Sequence, residues 1–362
     1  MGKVQAKKKA SAKEKKAAQS AEQLVQHYEE AELIRLTKRE KNSLVKQNAL
    51  LKKALEVQSA LAQAPLPPVK RLELGSGLRE ATAVFGLSDL HVEERVKPGD
   101  TPTGNAYNLA IAEYRLQRYF AGVKWLIEKE RGSCKIRRAI LWIGGDTLTG
   151  HIHDENKETS AYPPVMTLLW LYPRLLDGIQ SLLEDPELEL YVVCSYGNHG
   201  RDTKKPMRAM GAYHSYEWGM YQRLADDLKD EPRVKVLADP SGHQYVQVYD
   251  FQLHFHHGDE TNYQGGVGGI GIPLNKAVAQ WDKVRRCDFH HFGHWHQYLD
   301  LGNIVVNGSL IGYNAYAMSI KASPEPAQQF FYLLDSKRGK TAKSPVWCED
   351  RETEKKLWRI AA

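Results

Sequence analysis

At 362 residues, 42% hydrophobic and 26% charged, the chain can bury a full core in one large or two smaller domains, which excludes a disordered or fibrous protein. The formal charge of +6 is local, because residues 1–20 hold seven lysines and one glutamate and leave 43 basic and 43 acidic residues elsewhere. Such an arm solvates, or loosely touches polyanions, while the body is formally neutral.

The four cysteines, Cys134, Cys194, Cys287 and Cys348, lie far apart without a CxxC pair, which argues against a zinc ribbon or a redox motif and fits a reduced, intracellular setting. No apolar run reaches bilayer length, and the lysine-rich start lacks the apolar core of a signal peptide. The expectation is a soluble, cytoplasmic protein without a membrane partner.

In chain order, residues 1–20 read as a basic disordered tail. Residues 21–63 are rich in Glu, Lys, Leu, Ala and Gln without Gly or Pro, which predicts a long helix. Leu33, Leu36, Leu44, Leu51 and Leu55 fall near one side of it, either as a short coiled coil that would make a homo-oligomer or as a solvated helix. Pro65, Pro67 and Pro68 open a linker over 64–79. The body follows over 80–335, with a C-terminal extension over 336–362. Within the body, strands are predicted at 83–87, 139–143, 189–194, 245–249, 251–256, 289–292, 304–306 and 330–334, and helices at 108–131, 164–183 and 213–228. This mixture indicates an α/β layered domain.

The polar clusters fall immediately after predicted strands. Ser88-Asp89-Leu90-His91 follows the first, Gly144-Gly145-Asp146 the second, and Ser195-Tyr196-Gly197-Asn198-His199 the third. His256-His257-Gly258-Asp259 and Gly293-His294-Trp295-His296 follow later ones. The stretch 289–296 carries four histidines at the end of an apolar run, an expensive arrangement unless they bind something. Ligands collect outside strand ends in open α/β sheets, and five polar clusters so placed are hard to assign to chance.

This ordered set resembles the calcineurin-like metallophosphoesterase superfamily, whose pattern is DxH, GD, GNH, a later H often followed by G, then GHxH; the layout looks most like its phage-encoded members. The resemblance covers about residues 80–335 and implies a four-layer αββα sandwich with an N-terminal helical extension. It implies that Asp89, His91 and His296 hold one divalent metal ion, that Asn198, His257 and His294 hold a second, and that Asp146 bridges them. His199 would be the catalytic histidine assisting the leaving group after attack by a metal-bridging hydroxide. Asn307-Gly308-Ser309 looks like the segment that follows GHxH.

Imidazoles, carboxylates and an Asn carbonyl without a thiolate favour Mn²⁺ or Fe, and also suit Zn²⁺. A shared carboxylate is needed to offset the repulsion of two close cations. His256 and His257 are adjacent, so only one can face the metals; the glycine after it selects His257, with His256 packed behind. Where the family carries an acidic residue directly after GNH, this chain has Gly200-Arg201-Asp202, so Asp202 is expected to orient His199 and Arg201 to hold a phosphate, or both to be solvated.

The remaining residues read as supporting structure. His151, His153, Glu93, Glu94, Asp154 and Glu155 read as polar loop residues. The run from Gly265 to Gly271 lacks the Gly-Lys-Ser/Thr of a P-loop, which excludes an NTPase and leaves a flap or a connection. Trp281, Trp295 and Tyr263 could stack a base or belong to the core. GGDTLTG and the Tyr before GNH depart from protein phosphatases of the superfamily, so a phosphodiester is the expected substrate. The lysine tail points to nucleic acid as partner, DNA or RNA, ahead of a small cyclic or dinucleotide phosphodiester. A non-catalytic binding protein would be expected to lack some of these ligands.

Overall fold

The computed structural model describes residues 68–69, 79–263 and 268–361, together with scattered positions between 37 and 52. It divides into two units, 1–64 and 65–362. The described positions of the first unit are helical and exposed, in line with the helical composition there. The basic tail, most of the predicted helix over 21–63 and, within 264–267, the start of the glycine run lie outside the described residues. No helix among the described residues is long and apolar enough to cross a membrane.

The second unit is built on two six-stranded sheets. Its strands are β1 Pro68–Val69, β2 Arg79–Leu87, β3 Cys134–Ile143, β4 Glu189–Cys194, β5 Val234–Leu237, β6 Gln244–Val248, β7 Phe251–Phe255, β8 Phe289–Phe292, β9 Leu299–Asp300, β10 Ile304–Val306, β11 Gln328–Asp335 and β12 Gly339–Trp347. One sheet runs β12-β11-β2-β3-β4-β5 and the other β1-β6-β7-β8-β10-β9. Strands β2 to β5 are mutually parallel, as are β7, β8 and β10.

The period of two along the strands sorts side chains between layers. Phe85, Leu87, Leu141 and Ile143 pack on one side of their sheet with Tyr119, Val123, Leu175 and Tyr221 from the helices Leu109–Arg131, Pro164–Leu182 and Tyr216–Asp227. Val84, Ile140 and Trp142, from alternate positions, meet Val246, Leu253, Phe255 and Val305 of the other sheet in the middle core. Phe292, Ile304 and Val306 face outward beneath Leu274 and Val278 of the helix Gly271–Trp281. The result is the expected helix–sheet–sheet–helix order.

Helix starts follow local chemistry: the side chains of Asn108 and Ser215 accept from Ile111 N–H and Trp218 N–H, closing the first turns. Residues 336–362, expected as an extension, supply β12, which pairs with β11, and the helix Arg351–Ala361. Glu354 of that helix pairs with the fully buried Arg115. The extension is thus continuous with the body.

Candidate metal centre

The carboxyl ends of β2, β3, β4, β7 and β8 deliver the five polar clusters to one place. Asp89, His91 and His296 offer ligand atoms all within 4.8 Å of one another, and so do Asp146, His257 and His294. The two groups adjoin, with His91 N–H donating to Asp146 O at 3.1 Å. Asn198 Oδ1 lies 3.2 Å from His257 Nε2, and Asp146 Oδ2 lies 3.0 Å from the same nitrogen. Every residue expected to hold a metal is therefore brought to this centre.

The backbone is bent to do so. Asp89, His91, Asp146, His294 and His296 all have φ between 46° and 74°, the left-handed region that side chains other than glycine rarely adopt. Strain of this kind persists where the surroundings over-determine it, and it clusters at binding sites. Gly197 permits the closest approach, since a Cβ there would lie 2.1 Å from Asp146 Oδ1. The carboxylates are further fixed by His199 N–H donating to Asp146 Oδ1 and His294 N–H donating to Asp89 Oδ1, both at 2.8 Å.

The protons on the rings show what the cluster can hold. His257 Nδ1–H donates to Gly144 O at 2.7 Å, so its Nε2 is the atom turned to the oxygens of Asp146 and Asn198, as a donor when the ring is protonated and as a lone pair when it is neutral. A proton on Nε2, or a metal ion in its place, satisfies the two facing oxygens. His91 Nε2 is buried with no hydrogen-bond partner among the described residues, while its Nδ1 contacts Thr149 Oγ1 at 3.2 Å. The donor set thus fits a divalent metal, with ring tautomers fixed from behind as metal-bound histidines require.

Electrostatics agree. Burial pushes Asp89 up to about 7, with the Asp146 charge adding to it. Burial holds His91 well below its ordinary value and pushes His294 and His296 down to about 3. Burial also opposes a charge on His257 and on Asp146, yet each one's attraction for the other prevails, raising the imidazole and lowering the carboxylate well away from their ordinary values. The neutral rings of His91, His294 and His296 beside the retained charge of Asp146 are what a hard or borderline cation requires, and such a cation would displace the proton that Asp146 favours on His257.

His199 sits beside the centre, its Nδ1 bonded to Thr149 O at 2.8 Å and its ring 6.2 Å from that of the exposed His153. Asp202 does not take the orienting role: its Oδ1 pairs with His214 Nδ1 at 2.9 Å, and a backbone carbonyl aligns His199 instead. Arg201 donates to the carbonyls of Asn198 and Thr203, which fixes its guanidinium next to the centre. His256 lies on the opposite side of its strand from His257, stacked on His243. His291 is a core residue, bonded to His254 O and to Tyr332 OH.

Other readings change with burial. Trp295 is buried, and Trp281 and Tyr263 pack in the outer core rather than standing free to stack a base. Glu93 is not a loop-surface residue; it is fully buried and accepts from Thr149 N–H and Gly150 N–H. Glu94 joins Asn314 and Thr149. Glu217, which sequence reasoning passed over, is fully buried and accepts from Thr147 N–H, Thr147 Oγ1–H and Gly197 N–H at 2.6–2.7 Å. The signal was present: Glu217 shares an i, i+3, i+4, i+7 stripe with Met220, Tyr221 and Leu224, where a charge needs partners.

The layered fold is the one that the resemblance to the calcineurin-like metallophosphoesterase superfamily implies, and the residues it names as ligands lie together. No family model matches the chain, and no curated protein matches it. Among solved structures it is similar to wild-type Vps29 of Entamoeba histolytica complexed with zinc, at 14% identity and a TM-score of 0.29 over 74% of this chain and 99% of that one. It is likewise similar to a predicted phosphoesterase of Streptococcus pneumoniae, at 10% identity and 0.26 over 75% and 98%. A hypothetical protein of Pyrococcus horikoshii gives 13% and 0.39 over 77% and 94%. At these scores the functional argument rests on the site's own geometry.

Proposed function

We propose that the protein is a metal-dependent phosphoesterase that hydrolyses phosphodiester bonds, with nucleic acid as the expected substrate. The observation that supports this reading is the two adjoining ligand groups, Asp89, His91 and His296 and Asp146, His257 and His294, with Asn198 Oδ1 and Asp146 Oδ2 both turned to His257 Nε2. Asp89, His91 and His296 would hold one divalent ion and Asn198, His257 and His294 the other, with Asp146 shared. Bound there, Mn²⁺, Fe or Zn²⁺ supplies Lewis-acid activation of water and neutralises charge on the phosphoryl oxygens.

The chain's own residues do the rest. Thr149 O and Gly144 O set the tautomers of His199 and His257. His199, with Nδ1–H so engaged, acts as the imidazolium: its Nε2–H hands a proton to the leaving oxygen as the P–O bond breaks, which leaves the neutral ring. The water oxygen enters the new P–O bond; one of its protons restores the His199 imidazolium and the other passes to solvent.

The test is Mn²⁺-dependent hydrolysis of bis(p-nitrophenyl) phosphate and of linear and circular DNA, with Asp146→Asn as control. Hydrolysis lost in the variant supports the reading. Absence of hydrolysis of every ester by the metal-loaded wild type overturns it, and hydrolysis of the small ester without DNA cleavage transfers the substrate to small nucleotides.

A further inference from the structure

A cleft of about 470 Å³ adjoins the metal centre and begins at Gly197 and Asn198, in the loop that carries a proposed ligand. Its size lies within the range of small-molecule sites, about 300–1,000 Å³. Any substrate with its phosphorus at the centre and a substituent on the Asn198 side extends into it.

One wall carries His243, His256 and Glu260, whose ligand-type atoms lie within 4.8 Å of one another. A third metal is the first reading, and the geometry opposes it. The two rings stack with centroids 4.3 Å apart and planes inclined by 19°. An imidazole binds metal along an in-plane lone pair, so one cation cannot lie in the plane of both rings. Gly258 N–H also donates to His256 Nδ1 at 3.0 Å, which leaves the proton of the neutral ring on Nε2. His256 therefore presents a donor. Glu260 presents an acceptor beside it, held by Arg208 at 3.1 Å.

A neighbouring donor and acceptor complement the polar edge of a nucleobase, as N3–H and O4 of thymine do. A platform for the ring is also present. Tyr213 lines the cleft, is 59% exposed, and is braced edge-on by Trp218 with centroids 5.3 Å apart. Exposed aromatic faces of this kind stack bases. In the same cleft the guanidinium of Arg201, bonded to the carbonyls of Thr203 and Asn198, supplies positive charge for sugar or phosphate oxygens.

We propose that this cleft is a nucleoside subsite, taking the base and sugar on one side of the scissile phosphate, with the base stacked on Tyr213 and its edge on His256 and Glu260. The inference rests on the phosphodiester reading above and narrows the substrate to a nucleotide ester whose base is unpaired, since the cleft admits one nucleoside and not a duplex.

The experiment compares kcat/KM of the Mn²⁺-loaded protein for thymidine 5′-(p-nitrophenyl phosphate) and bis(p-nitrophenyl) phosphate, both releasing p-nitrophenolate. The wild type is expected to prefer the nucleotide ester about tenfold, through a lower KM. Tyr213→Ala and Glu260→Gln should each reduce that preference several-fold, and Tyr213→Phe should retain it. Equal kcat/KM for the two esters in the wild type, or a preference unchanged in both variants, overturns the subsite while leaving the phosphoesterase standing. Hydrolysis of neither ester removes the underlying reading.

Discussion

The Glu217 carboxylate ties two loops of the centre together by accepting Thr147 N–H and Gly197 N–H, although none of its atoms belongs to either ligand group. In Glu217→Gln one oxygen remains an acceptor, and the new NH₂ turns its protons on a buried N–H donor. The expected loss is about 1–3 kcal/mol. It should appear as a lower urea midpoint at unchanged slope, and an unchanged midpoint would show that the three bonds contribute nothing.

Asp89 gives a pH prediction. Its folded value, about 7, lies above its ordinary 3.8, so its proton stabilises the metal-free fold at low pH, and that contribution is lost as pH rises through about 7. The buried Glu93, also pushed to about 7 by burial, acts in the same direction. The histidines pushed downward act oppositely, but only below their ordinary value of 6.5. Between pH 6.5 and 8.5 the metal-free protein should therefore lose thermal stability. Because a metal must displace the Asp89 proton, the rise in Tm on adding Mn²⁺ should be larger at pH 8.5. Equal rises at both pH values would contradict the shift.

At the scale of elements, the strand ends carry the site, and they were the most legible part of the sequence. β4, β8 and β10 have the predicted limits, because short apolar runs there stop at Ser195, Gly293 and Asn307. β5 and β12 were not anticipated. Val-Lys-Val-Leu is too short for a period to emerge, and Gly339–Trp347 is an edge strand whose lysines and proline carry no clean alternation. Roles set by hydrogen-bond direction were also illegible, which is why Asp202 looked like the partner of His199 until Thr149 O was found there. At Gly197 sequence and geometry agree: a methyl added there meets Asp146 Oδ1 at 2.1 Å. Gly197→Ala should keep the fold by circular dichroism while metal content and ester hydrolysis fall at least about tenfold; a variant with normal metal content would mean that Asp146 is free to move.

For the whole molecule, the buried Arg115 is the tie between distant parts. Its guanidinium donates to both Glu354 oxygens and to the carbonyls of Leu310 and Ile311, and Leu310 N–H donates in turn to Asp89 O. Glu354→Ala leaves that charge uncompensated and should lower stability by about 3–5 kcal/mol, read from urea unfolding. A change below about 1 kcal/mol would show that water replaces the carboxylate.

The same tie bears on how the chain is made. A nascent chain grows from its N-terminus, and domains order themselves as they emerge from the ribosome. Arg115 emerges long before Glu354, its only carboxylate partner among the described contacts. Until the helix Arg351–Ala361 is out, the loop behind Asp89 rests on an unneutralised cation. Metal capture should accordingly follow the emergence of the helix Arg351–Ala361 from the ribosome.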